Sequence, residues 1–108
     1  MRHKHHIVFR SQGGLDYDLN LMDLDDVDHE GDDGPHKNRA VDLMYKIDLQ
    51  TKLQKIFRPD ELYSEKQIAE KLGRSERYWR KHLKKIPRTA VYIRGEDLVR
   101  FLMGGKLY

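Results

Sequence analysis

Four cationic side chains recur at helical spacing in the second half of the chain. They are Arg77, Arg80, Lys81 and Lys84. At 100° per residue they fall between about 100° and 200° from Trp79, whereas Leu83 and Ile86 fall on the same side as Trp79. A helix with one apolar face and one cationic face fits the major groove of DNA, where arginine bridges guanine O6 and N7 and lysine reaches phosphates.

The charge around this segment is concentrated and of one sign. Residues 74–94 contain eight basic residues and one acid, a density typical of phosphate binding. Across the whole chain, residues 1–36 have a net charge of −6 and residues 37–108 a net charge of +9. This asymmetry favours a polyanionic partner. The alternative, an ordinary solvated face of an amphipathic helix, stays open.

The neighbours of the cationic face have less specific patterns. Tyr78 lies beside it and is either a contact to a phosphate or thymine methyl, or an aromatic ring that covers the edge of the domain. Trp79 is predicted to be core. His82 is interpreted as a partly buried flank and not as a metal ligand, because no second histidine stands at helical spacing.

Start and stop signals predict the helices that position these residues. Ser64–Gln67 forms a capping box that begins one helix, and Gly73 stands where a left-handed C-terminal cap is expected. Ser75, two residues after Gly73, is the N-cap of a second helix, and Pro87 ends that helix. Two short helices joined this tightly, with Ala69 four residues before the glycine, are the arrangement of a helix-turn-helix.

The chain after this pair is predicted to contain one strand and one helix. Ala90 to Arg94 is interpreted as a short strand. Glu96 to Met103 is interpreted as a helix with acids in its first turn, and the glycine pair at 104–105 is its stop.

The segment Ser64 to Leu102, SEKQIAEKLGRSERYWRKHLKKIPRTAVYIRGEDLVRFL, resembles the compact winged helix-turn-helix domain of the excisionases and their MerR-type relatives. The matching parts are QIAEKLGRS, the basic second helix and YIRGEDLVRFL. The resemblance implies a recognition helix over Ser75–Lys85 in the major groove, and a wing shortened to Pro87–Arg94. The implied DNA-binding residues are Arg74, Ser75, Arg77, Tyr78, Arg80, Lys81 and Lys84, with Arg88 and Arg94 reaching phosphates.

The first half of the chain is predicted to be β-rich. His6–Arg10 and the alternating run Leu15–Leu21, joined across Gly13-Gly14, indicate a β-hairpin. The alternation from Val41 to Ile47 predicts a third strand. A helix is then expected from an N-cap at Asp48 to a stop at Arg58-Pro59, although residues 39–49 are ambiguous between strand and helix.

The acidic run 23–35 is interpreted as a loop. A calcium loop is disfavoured because Lys37 occupies the position of the bidentate glutamate. The run either imitates DNA phosphates or docks a basic partner protein, or it is simply solvated. The histidines His3, His5 and His6 lack a fixed further ligand, so no metal site is predicted.

Composition bounds the remaining possibilities. The 108 residues contain no cysteine, which removes disulfides and thiolate chemistry and favours a cytoplasmic setting. The sequence shows no secretory signal and no membrane span. It also shows no phosphate-binding loop and no nucleophile elbow, so we expect a non-enzyme without cofactor. The expected fold is α+β, with a small antiparallel β-sheet in segment 1–57 and a winged helix-turn-helix in 58–108.

The expected function is therefore binding of double-stranded DNA, as a transcription regulator or an excisionase-like recombination factor of phage or mobile-element type. Two half-sites would require a homodimer paired through the N-terminal sheet. The alternative is a protein-interaction module, such as an antitoxin or a replication or packaging accessory, that acts mainly through the acidic N-terminal half.

Overall fold

The computed structural model describes residues 2–25, 38–86 and 91–108. Its elements confirm an α+β chain. The strands are β1 (Arg2–His6), β2 (Leu21–Asp25), β3 (Leu62–Tyr63) and β4 (Ile93–Arg94). The α-helices are α1 (Arg39–Ile56), α2 (Glu65–Leu72), α3 (Glu76–His82) and α4 (Gly95–Leu102). Short 3₁₀ turns cover Arg10–Gln12, Asp18–Asn20 and Leu83–Lys85.

The predicted antiparallel pairing at the N-terminus is present, but it uses other residues. β1 pairs with β2 in a register that sets His6 opposite Leu21, and the predicted strands 6–10 and 15–21 form most of the connection. The buried side chain of Asn20 is the reason: it accepts a hydrogen bond from the Val8 amide (2.8 Å) and donates to the Leu15 carbonyl (2.9 Å). These bonds satisfy backbone groups that a sheet ladder would otherwise pair.

The prediction of a third strand over residues 41–47 is wrong, and so is the N-cap at Asp48. Helix α1 begins at Arg39, where the Asn38 side chain accepts from the amides of Ala40 and Val41 at 3.0 and 3.2 Å. Among the described residues the N-terminal sheet therefore has two strands. The predicted end near Arg58 is close, because the C-cap is Phe57.

Polar residues on the buried face of α1 explain the error. The helix buries Leu49 and Leu53, but also Lys46 and Gln50. The ammonium of Lys46 lies 2.7 Å from both carboxylate oxygens of Asp42, so the buried charge is paired. A search for apolar residues at helical spacing does not detect a buried helix face that contains lysine and glutamine.

The acidic run is only partly visible. Residues 23–25 belong to β2, and Asp23 pairs with Lys4 at 3.2 Å. The remainder of the run, together with the rejected calcium pattern that ends at Lys37, lies outside the described residues.

The second sheet joins chain segments on either side of the α2–α3 pair. β3 and β4 are antiparallel, with Tyr63 opposite Ile93. The predicted strand at 90–94 is thus shorter, and residues 87–90 lie outside the described part. Helix α4 confirms the predicted last helix within one residue, and Gly104 and Gly105 follow it with φ of 89° and 100°.

A single hydrophobic cluster extends across the boundary that the sequence suggested at residues 57 and 58. α1 packs against α4, and the rings of Phe57 and Tyr63 meet edge to face at 5.0 Å. The side chain of Gln50 bonds both the amide and the carbonyl of Tyr108, at 2.6 and 2.9 Å. The two halves therefore fold against each other. In the described ranges, no helix has the length and hydropathy needed to cross a bilayer.

One buried polar atom generates a stability prediction. The side chain of Tyr17 is 1% exposed, and its hydroxyl has no hydrogen-bond partner within the described structure. A buried unsatisfied group costs about 1–3 kcal/mol. We expect Tyr17→Phe to leave the free energy of unfolding unchanged or to raise it by up to about 1 kcal/mol, measured by urea denaturation.

Tyr78→Phe is the matched control. The Tyr78 hydroxyl accepts a hydrogen bond from the Asp16 amide at 2.9 Å, so its loss should cost about 1 kcal/mol. A Tyr17→Phe protein that is destabilised as much as Tyr78→Phe would contradict the prediction.

Candidate nucleic-acid interface

Both predicted N-caps of the helical pair α2–α3 are confirmed. Ser64 accepts from the Gln67 amide at 3.2 Å while the Gln67 side chain accepts from the Ser64 amide at 2.9 Å. Ser75 accepts from the Tyr78 amide at 3.0 Å. Each helix therefore starts where its sequence signal stands.

The turn between the two helices takes three residues, and two of them have positive φ. Gly73 has φ 84° and ψ −174°, a region that only glycine enters readily. The predicted left-handed cap at Gly73 is therefore wrong in its ψ, which is extended, although the positive φ is present. Arg74 has φ 68°. The indole Nε1 of Trp79 donates to the Gly73 carbonyl at 2.7 Å. The core residue of α3 thus holds the turn that precedes its own helix.

The apolar stripe of α3 is buried as predicted. Trp79 and Leu83 are fully buried and Ile86 is 6% exposed. The predicted helix over Ser75–Lys85 is too long, because α-helical geometry ends at His82 and a 3₁₀ turn follows. The tighter turn still directs Leu83 and Ile86 toward the core.

The four predicted cations of the recognition face lie together. We call this surface the cationic face; it is formed by Arg77, Arg80, Lys81 and Lys84, which are all exposed and line one shallow groove. Arg80 pairs with Glu76 at 3.2 Å and approaches Glu65 at 3.6 Å. No carboxylate of the described residues pairs with any of the other three cations.

The remaining predicted contacts have structural roles. The guanidinium of Arg74 lies 4.1 Å above the ring of Tyr78, and the rings of His82 and Trp79 lie 4.3 and 5.3 Å from it. Tyr78 is half-buried, with its hydroxyl bonded as described above. Ser75 uses its hydroxyl as the cap. Arg94 pairs with Glu96 at 2.5 Å. Arg88 lies outside the described residues.

The sequence did not predict that the N-terminal segment docks beside α3. Asp16 accepts hydrogen bonds from the His6 ring at 2.6 Å and from Arg10 at 3.3 Å. The hydrogen bond from His6, with a smaller effect from the charge of Arg10, lowers the pKa of the Asp16 carboxyl. The Asp16 amide bonds Tyr78, 62 residues away. No local pattern signals a contact between such distant residues.

This docking creates a cleft on one flank of α3, which we call the flanking cleft. It lies between the turn at Gly13-Gly14, the end of α3 and the turn at Gly104-Gly105, with a volume of about 560 Å³. Its cationic lining residues are Arg10, Lys81 and Lys85. Burial, and then the charge of Lys81, lower the pKa of His82 in the same wall.

The described residues were also compared with the ligand sets that hold metal ions. Within residues 2–25, 38–86 and 91–108, no three metal-binding side chains cluster. Of the N-terminal histidines, His5 is buried and its ring contacts Phe9 edge to face at 5.5 Å, while His6 is bonded to Asp16.

The chain matches no protein-family model, no curated protein and no solved structure. Any functional conclusion therefore depends on the geometry of this surface.

The geometry of Gly73 predicts a loss of stability on substitution. An added Cβ would meet nothing within 4 Å, so the cost comes from the backbone conformation alone. We expect Gly73→Ala to lower the free energy of unfolding by about 1–3 kcal/mol in urea denaturation. Lys71→Ala, at an exposed helical position, should stay within about 0.5 kcal/mol of the wild type. Equal effects in the two variants would refute this account of the turn.

The Asp16 contacts predict a pH dependence. Because the pKa of Asp16 is lower in the folded than in the unfolded chain, its stabilising effect is present above about pH 4 and is lost as the pH falls through the folded-state value. Wild type should therefore be more stable than Asp16→Asn at pH 7, and the gap between their urea midpoints should narrow as the pH falls below about 4. A gap that does not change between these pH values would refute the assignment.

Proposed function

We propose that the protein binds double-stranded DNA through its cationic face, with α3 in the major groove. The observation that carries the proposal is the division of α3 and the 3₁₀ turn after it into a buried apolar stripe and an exposed face that carries four cations. Arg77 and Lys84 lie in the middle of this face, where a docked helix meets base edges. Arg80 and Lys81 lie on its two sides, where phosphates run.

The arrangement of charges disfavours the alternative of a merely solvated helix face. Arg77 and Lys81 stand at i, i+4, a like-charge spacing that destabilises a helix by about 0.2–0.5 kcal/mol. Helices that are selected only for stability alternate signs at these positions. Glu76 compensates Arg80, but no carboxylate of the described residues compensates Arg77 or Lys81. A local rule that is broken in this way is expected at a functional surface.

The cationic face is also rigidly held. Ser75 caps α3, and Trp79 fastens it both to the core and to the preceding turn. A recognition surface that is ordered before binding loses less conformational entropy when it docks. The protein would therefore act as a non-enzymatic DNA-binding factor of the regulatory or recombination class that its sequence resembles.

A second candidate function is interaction with another copy of the chain or with a partner protein through the N-terminal half. One observation favours it: Met44 and Ile47 lie one turn apart on α1 and are 57% and 50% exposed. A homodimer would supply the two recognition helices that paired half-sites require. Light scattering after size exclusion tests it, because Met44→Lys should convert a dimer to a monomer, whereas a wild-type monomer at all concentrations would exclude self-association.

The experiment that tests DNA binding is a fluorescence-anisotropy titration with a random-sequence duplex from about 50 to about 300 mM salt. The logarithm of the affinity should fall with the logarithm of salt at a slope of about −4 to −6, the value for roughly five or six phosphates. The double variant Arg77→Ala/Lys84→Ala should bind about tenfold more weakly or worse and should have a shallower slope.

The matched control removes the same number of charges elsewhere. Lys52 and Lys55 are exposed on α1, and Lys52→Ala/Lys55→Ala should bind like the wild type apart from a small screened effect. No binding by the wild type at about 50 mM salt, or equal binding by the two double variants, would overturn the proposal.

A further inference from the structure

The flanking cleft adjoins the cationic face and shares a residue with it. Lys81 lines both the groove of the cationic face and the cleft. Lys85, four residues on, lies in the cleft wall, and Arg10 reaches the cleft from the N-terminal segment. Cations contributed by two distant parts of the chain therefore surround one concave site.

The cleft has a net positive charge. Arg10 is partly neutralised by Asp16, at 3.3 Å from both carboxylate oxygens. Neither Lys81 nor Lys85 pairs with a carboxylate of the described residues. Burial lowers the pKa of His82, and the charge of Lys81 lowers it further. The second effect reflects the same excess of positive charge at this wall of the cleft.

The turns at Gly13-Gly14 and Gly104-Gly105 form one wall of the flanking cleft, and their glycines contribute only backbone atoms to it. A Cβ built on Gly104 would lie 2.5 Å from the carbonyl oxygen of Gln12, and one built on Gly13 would lie 3.7 Å from the Cα of Gly104. The N-terminal and C-terminal turns are therefore in direct backbone contact. At Gly105 an added Cβ would meet nothing within 4 Å, so the site stays open to an incoming group.

The position of the cleft relative to α3 indicates what it takes. A helix in the major groove is bordered by the two phosphate backbones of the duplex. At 100° per residue Lys81 lies about 40° from Arg77. Lys85, in the 3₁₀ turn that follows α3, lies further round in the same rotational sense, toward the same border. A duplex docked on the cationic face would thus pass its sugar-phosphate backbone along the mouth of the flanking cleft.

We propose that the flanking cleft binds a backbone phosphate of the duplex that α3 contacts, through Arg10 and Lys85 together with Lys81. This inference rests on the proposed DNA binding and adds a contact from the N-terminal segment, which then positions the duplex as well as supporting α3. Phosphate contacts of this kind set the register and orientation of a protein on DNA without reading its sequence.

Single variants in the cleft test the proposal in the same anisotropy titration. Arg10→Ala and Lys85→Ala should each weaken duplex binding several-fold at about 100 mM salt, equally for all sequences, and reduce the salt slope by about one. Lys55→Ala, which removes one exposed charge from α1, should leave the slope unchanged. Lys85 has no described partner, so its variant remains informative if Arg10→Ala is less stable.

A double-mutant cycle separates a shared phosphate from general electrostatics. Arg10→Ala combined with Lys85→Ala should weaken binding less than the product of the two single effects, because both side chains hold one phosphate. Arg10→Ala combined with Arg77→Ala should be multiplicative, because these residues contact different groups. Multiplicative effects in both cycles would overturn the shared site.

The ring of His82 gives a readout independent of affinity. It packs at a tilt against the ring of Tyr78, and the charges of Lys81, Asp16, Arg74 and Lys85 all act on it. A phosphate in the cleft would favour its protonated form. NMR titration should therefore show its pKa rising on addition of duplex, and not rising in Arg10→Ala/Lys85→Ala. Inorganic phosphate alone should produce a smaller rise, because it lacks the anchoring contacts of α3.

The outcomes for the cleft and for the proposed function are distinguishable. If the wild type binds duplex and Arg77→Ala/Lys84→Ala weakens it, but Arg10→Ala and Lys85→Ala keep wild-type affinity and slope, the cleft proposal is overturned and DNA binding stands. If the wild type does not bind duplex, both are overturned. A His82 response to inorganic phosphate that is as large as the response to duplex would assign the cleft to a free phosphate and overturn the duplex contact.

Discussion

The burial of Trp79 is the interaction on which the rest of this surface depends. Its indole is fully buried, donates to the Gly73 carbonyl at 2.7 Å, and meets the ring of Tyr17 at 5.6 Å. An aromatic side chain of this size buries about 150–250 Å², so α3 cannot rotate without losing that contact. Once Trp79 faces the core, helical geometry places Arg77 and Lys84 outward.

Charge distribution is the second constraint on the molecule. The acids near the cationic face neutralise only its edge. Glu65 and Glu76 pair with Arg80, while Asp16 pairs with Arg10 and contributes its amide to Tyr78. Concentrating like charges lowers stability, and the large shared core offsets that cost. The proposed DNA contact and the phosphate contact of the flanking cleft follow from the same uncompensated charge.

Sequence reasoning succeeded where a structure depends on neighbours within about four residues. The caps at Ser64 and Ser75 and the apolar stripe of α3 are of this kind. It failed at α1, because Lys46 and Gln50 occupy buried positions and are satisfied by Asp42 and by the backbone of Tyr108. Half of the buried positions of α1 are thus polar, so apolar residues do not recur at helical spacing along its buried face. The apolar residues Val41, Leu43, Tyr45 and Ile47 instead fall at every second position by chance, which is the pattern typical of a strand.

The sequence by itself determined the helical pair and the single-sign face of α3, since capping, turn chemistry and helical periodicity are local. Only the tertiary structure decided what stands beside that face. The contact between Asp16 and Tyr78 spans 62 residues, and the turns at Gly13 and Gly104 approach from opposite ends of the chain. Such contacts form because distant apolar surfaces share one core, and pairing of this kind leaves no periodic trace in the sequence.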